Sequence, residues 1–119
     1  MLQHVALEVR ATDADAEVAF WGLLGFAEVA PPTGLVGTSR WVERQGTQVH
    51  LLLTDDPVAA PQGHAAVVAP AYAETLARLA AAGVTADPRP EHWGAPRAFV
   101  RSPAGHRVEV MAAPPPARR

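Results

Sequence analysis

The chain repeats itself at an interval of about sixty residues, and the repeat carries polar side chains at matching places. His4 recurs as His64 and His50 recurs as Glu109. The intervening landmarks repeat in the same order. His4-Val5-Ala6 lies over His64-Ala65-Ala66, Gly25-Phe26 over Gly83-Val84, Trp41-Val42 over Phe99-Val100, and His50-Leu51-Leu52 over Glu109-Val110-Met111. A duplicated unit of this length must bury its apolar faces against its own copy, which restricts the fold to paired modules.

Each half has the same run of local signals. Leu2 to Arg10 alternates, with Val5, Leu7 and Val9 on one side and His4, Ala6 and Glu8 on the other. A helix is expected from Thr12, its first turn rich in Asp13, Asp15 and Glu17, its buried stripe Phe20, Trp21, Leu23 and Leu24, and its stop Gly25. Strands are expected over 26–30, 38–44 and 47–54, the last two joined by a tight turn at Gln45-Gly46. The second half offers a strand over 63–69, a helix over 72–82 with Leu76, Leu79 and Ala80 inward, and a stop at Gly83. A brief strand over 84–87 comes next, then a loop over 88–96, and strands over 98–101 and 106–112. Both halves read βαβββ. The expected class is α+β, with one module over 1–54, a Pro-rich linker over 55–63, a second module over 64–113, and an extended, poorly ordered tail over 114–119.

Length suits one small domain built of two such units. The net charge of −2 gives no electrostatic reason to expect nucleic acid or an anionic membrane surface. Cysteine is absent, which excludes disulfides and thiolate metal sites and leaves the redox compartment open. With no signal peptide and no apolar run of spanning length, a soluble cytoplasmic protein is the simplest expectation.

The alternation puts His4, His50, His64 and Glu109 on the sheet face turned away from the helices. Three imidazoles and a carboxylate are a suitable ligand set for a divalent transition metal such as Ni, Zn, Mn or Fe. Taken singly, a strand histidine is more often a surface or hydrogen-bonded residue, and it is the matched placing of four groups that favours a metal. Glu8, on the same face, reads as a general base, a partner of a ligating histidine, or an ordinary solvated residue. Trp41 and Phe99 occupy equivalent places and could wall a pocket. Trp93 sits in a Gly/Pro-bounded loop that could cover it, and Arg97 and Arg101 could meet an anion. His92 and His106, outside the repeat, read as surface residues.

With its duplicated βαβββ, the opening HVALEV, the helix AFWGLLGF, the strand GHAAVV and the close FVRSPAGHRVEVM, the chain resembles the vicinal oxygen chelate superfamily. That superfamily includes glyoxalase I, fosfomycin-resistance transferases, extradiol dioxygenases and bleomycin-resistance proteins. The resemblance implies two modules curled around a cleft, with metal ligands at His4, His50, His64 and Glu109. Glu109 or Glu8 would move a proton on a small oxygenated substrate, in lyase or isomerase chemistry. It also implies a homodimer whose modules pair either within one chain or across two. Dioxygenase or transferase chemistry, or metal-free sequestration of a small molecule between Trp41, Phe99 and Trp93, are the alternatives. Two positions depart from glyoxalase I proper: His50 stands where that enzyme has a carboxylate, and Glu8 where it has an arginine for glutathione.

Overall fold

The computed structural model describes residues 1–117. Arg118 and Arg119, the end of the expected tail, lie outside the described residues. Strand β1 (His4–Val9) leads through a short 3₁₀ turn into helix α1 (Ala14–Leu23). Strands β2 (Ala27–Val29), β3 (Ser39–Arg44) and β4 (Thr47–Leu53) follow. The second half supplies β5 (Ala65–Val68), α2 (Tyr72–Ala81), β6 (Asp87–Arg89), β7 (Arg97–Arg101) and β8 (Arg107–Met111). The strands form two four-stranded mixed sheets, ordered β1-β4-β3-β2 and β5-β8-β7-β6. The class is α+β with a duplicated βαβββ, as expected.

The glycine stops behave as the sequence requires. Gly25 and Gly83 end the two helices at φ +91° and +83°, where a side chain would be strained. Gln45 and Gly46 both have positive φ, which fits the two-residue β3–β4 hairpin.

Two expectations are corrected. The second strand of the second module is Asp87–Arg89, paired antiparallel with β7, and not 84–87. Pro88 reads as a loop residue, yet β6 is an edge strand, where a missing N–H costs no ladder bond. On α2, Ala80 is exposed, and Thr75 and Leu79 are the buried residues, with Leu76 half-buried. The buried face therefore lies one step around the helix from the expected one.

One apolar core runs through both modules. Trp21, Phe20, Leu24 and Phe26 from the first half join Leu79, Val100, Val108 and Val110 from the second. Glu17 sits within this core at 0% exposure. Its Oε2 accepts the Trp21 indole N–H at 3.3 Å, and its Oε1 accepts the Ala104 amide N–H, in the β7–β8 turn, at 2.9 Å. A buried carboxylate is tolerated only when such donors replace lost water. His106, expected at the surface, is likewise buried. Its Nε2 lies 2.7 Å from the Glu8 carbonyl, which ties the same turn to β1.

At the outer edge of the first module, Arg40 reaches both Glu28 and Asp15, joining β3 to β2 and α1. The Arg40 hydrogen bond holds the Glu28 carboxyl below its ordinary value. Because the native pKa lies below the unfolded one, the stabilisation is present above about pH 4.5. It is lost as pH falls through the lowered native value. NMR titration of the R40A variant should return Glu28 to the ordinary carboxylate range. With Glu28 exposed and Arg40 only half-buried, the loss of stability should stay small and salt-sensitive.

Candidate functional site

The two sheets present the candidate residues in the same register. On the first sheet, His50 is paired with Ala6 on one side and Trp41 on the other. On the second, Glu109 is paired with Ala66 and Phe99. Each row crosses the centre of its sheet on the face opposite the helices. Inward neighbours Val49, Leu51, Val108 and Val110 anchor both strands in the core. The buried member of each pair, His50 or Glu109, carries an exposed histidine beside it, His4 or His64.

In the first module the rings are stacked. His50 lies 3.7 Å from Trp41 at an interplanar angle of 4°, and 4.0 Å from His4 at 17°. Its Nε2 meets Gln48 Oε1 at 2.8 Å, and Gln48 also donates to Glu43. Burial, followed by the neighbouring His4, lowers the His50 pKa from its ordinary value. That favours the neutral imidazole, the form able to donate a lone pair.

In the second module the contacts converge on a carboxylate. His64 Nε2 lies 3.2 Å from Glu109 Oε1, and Arg97 donates to Glu109 Oε2 at 3.1 Å. Arg97 also donates to the Pro90 carbonyl and stands over the Trp93 and Phe99 rings at 5.6 and 5.7 Å. The edge of the His64 ring meets Phe99, with centroids 4.9 Å apart. Trp93 is tied down, its indole N–H donating to the Ala113 carbonyl at 2.8 Å.

The structure brings the four expected ligands together as two pairs, not as one quartet. Among the described residues, no three His, Cys, Asp or Glu side chains are placed to hold a metal ion. The donor chemistry of each pair suits a metal, and each supplies half of a set. The stacked His4 and His50 rings would have to splay to bring two nitrogens onto one ion at about 2.0–2.1 Å.

The Glu8 side chain makes its hydrogen bond to the linker and to neither pair. Its Oε1 accepts the Val58 N–H of the linker at 2.8 Å. It lines a cavity of about 550 Å³ between the modules, together with His64, His106 and Arg107. Residue-by-residue reading underrates Arg107, Gln48, Glu17 and His106. For Arg107 the available signal is its in-phase position two residues before Glu109.

A family model described as "Glyoxalase-like domain" matches residues 4–111. No curated protein matches the chain. Among solved structures, a glyoxalase family protein from Bacillus anthracis is 19% identical, covers 93% of each chain and superposes with a TM-score of 0.82. A lactoylglutathione lyase from Agrobacterium tumefaciens is 22% identical, over 93% of this chain and 92% of that one, at 0.71. A fosfomycin resistance protein from Listeria monocytogenes is 19% identical, over 96% and 91%, at 0.77. At these identities the likeness is one of fold. No helix among the described residues is long and apolar enough to cross a membrane.

Proposed function

The chain belongs to the glyoxalase-like domain family of the vicinal oxygen chelate superfamily, and from that premise we propose a metal-dependent lyase or isomerase acting on a small oxygenated substrate. The observation that carries this is the equal register of the two sheets. His50 and Glu109 stand buried at the same node, each with a histidine beside it.

His4 and His50 would hold a divalent transition ion from one side, and His64 and Glu109 from the other. Because the two pairs do not converge within the chain, we assign the second half of each site to another copy, making a cytoplasmic homodimer with two equivalent sites. The chemistry such an ion supplies is Lewis-acid stabilisation of negative charge on a substrate oxygen. This chain's own groups do the remaining work. The lowered pKa of His50 keeps its lone pair available near neutrality. Arg97 and His64 hold the Glu109 carboxylate by both oxygens. Glu8, fixed through one oxygen by Val58 N–H, has its other oxygen to accept a proton from a bound small molecule. Trp41, Phe99 and Trp93 form the apolar walls. His50 and Glu8 stand where glyoxalase I has a carboxylate and an arginine, so the substrate is not the glutathione adduct of that enzyme.

One observation favours a second reading, sequestration of a small molecule without a metal. Both oxygens of Glu109 already have partners, and His50 is satisfied by Gln48 and by stacking. Metal analysis separates the readings. Protein purified without chelator or metal-affinity tag should carry, or take up, one Ni, Zn, Mn or Fe ion per chain. H50A and E109A should each lose metal affinity by about 100-fold or more, since even residues that only orient a ligand cost 10–100-fold. A wild-type protein that takes up none of these ions supports sequestration instead.

A further inference from the structure

We infer that the occupant of this site carries an anionic group, a carboxylate or a phosphoryl group, and that Arg107 receives it. This rests on the reading that the open face of the β5–β8 sheet is a substrate wall.

All ten basic residues of the chain are arginine. Four of them, Arg89, Arg97, Arg101 and Arg107, are carried by β6, β7 and β8. Three gather on Phe99, with guanidinium carbons at 3.7 Å (Arg107), 5.4 Å (Arg89) and 5.7 Å (Arg97) from the ring centroid. Three of the four are already committed. Arg97 is bound to Glu109 and the Pro90 carbonyl, Arg89 to Asp87, and Arg101 to the Gly105 and Pro61 carbonyls. Among the described residues, Arg107 alone of the four has no hydrogen-bond acceptor.

A guanidinium lying over an aromatic ring has its charge partly balanced by the ring face. Its N–H donors point outward in the guanidinium plane and remain to be filled. Five donors in a rigid fork match the paired oxygens of a carboxylate or phosphoryl group. Arg107 is also half-buried, where an unfilled charged donor costs more than at an open surface.

The position suits a recognition role. Arg107 borders two cavities, of about 630 and 550 Å³, and the second also holds Glu8 and His64. Two residues along an extended strand separate Arg107 from Glu109 by roughly 7 Å. A small acid held by Arg107 would therefore place atoms a few bonds away beside Glu109 and His64. Glu8, being anionic, would repel the acid group and favour the neutral end of the molecule on its own side. The site thus orients its ligand by charge, with the acid at Arg107 and the reacting carbon toward Glu8. In the first module the equivalent place beside the exposed histidine is Gln48, so this recognition belongs to one half only.

The test uses the full-length, metal-free protein with benzoate, phenyl phosphate and neutral benzamide, followed by NMR of the arginine Nε–H signals and of the amides. At least one of the two acids should bind about tenfold or more tightly than benzamide. Binding should shift the Arg107 Nε–H and Phe99 signals. Which acid binds more tightly distinguishes carboxylate from phosphoryl recognition. R107A should weaken binding by about tenfold or more, R107K by less, and R78A, which removes an equal charge from helix α2, by under about twofold. Equal binding of benzamide, or equal effects of R107A and R78A, would overturn the inference. Metal uptake, measured separately, keeps the two readings apart. Metal binding without anion preference overturns this inference alone. Anion preference without metal binding overturns the metal reading and leaves this one standing.

Discussion

Replacing Glu17 by alanine should destabilise the protein by about 3 kcal/mol, the largest effect expected of any polar residue in the chain. The side chain is fully buried, and it satisfies the Trp21 indole N–H and the Ala104 amide N–H. Truncation leaves both donors buried without a partner, at about 1–3 kcal/mol each, and opens a cavity in the core. For a chain of this size the midpoint of thermal unfolding should fall by roughly 10–15 °C. E17Q keeps the shape and one carbonyl oxygen but turns an amide N–H₂ toward the other donor, so its loss should be intermediate. A loss under about 1 kcal/mol for E17A, read by chemical denaturation, would mean that the bond to Ala104 contributes little to holding the modules together.

The second large effect is a restoration. Two double variants, H4A/H50A and H64A/E109A, should each bind almost no metal alone. If each site draws one pair from each of two copies, mixing the variants under subunit exchange should restore metal binding. In a symmetric dimer with random exchange, half of the dimers are mixed, and each has one intact site. The recovered metal should therefore approach roughly a quarter of the wild-type content. Sites built within a single chain recover nothing on mixing. The charge distribution agrees with crossed pairing. The first module holds six acidic and three basic residues, the second four acidic and five basic, so unlike modules attract where two copies of one module would not.

The repeat made the fold legible, because apolar alternation and glycine stops are local signals and each appeared twice. His50 and Glu109 share a node in the two sheets, as the laid-over copies implied. What was not legible has a common physical cause. Glu17 and His106 make their decisive contacts 87 and 98 residues away, across the junction between modules, and nothing near either residue announces a distant partner. Glu17 reads locally as a first-turn acid facing water, and His106 as a turn residue. The place of β6 is hidden by Pro88, whose usual meaning as a strand breaker does not hold at a sheet edge. The pairing of ligands as two halves could not be read either, since alternation says which face a side chain takes and not how two faces meet.

The stack of Trp41 on His50 has one more consequence, a spectroscopic one. Indole emission responds to whatever lies against its face, and here an imidazole lies 3.7 Å away and almost parallel. Any event that charges that imidazole or draws it aside must alter the indole's brightness. Of the three tryptophans, Trp21 is sealed in the core, and Trp93 belongs to the other module, its indole N–H tied to the Ala113 carbonyl. The chain thus carries a built-in optical reporter of its own first module, one that requires no label and no known substrate.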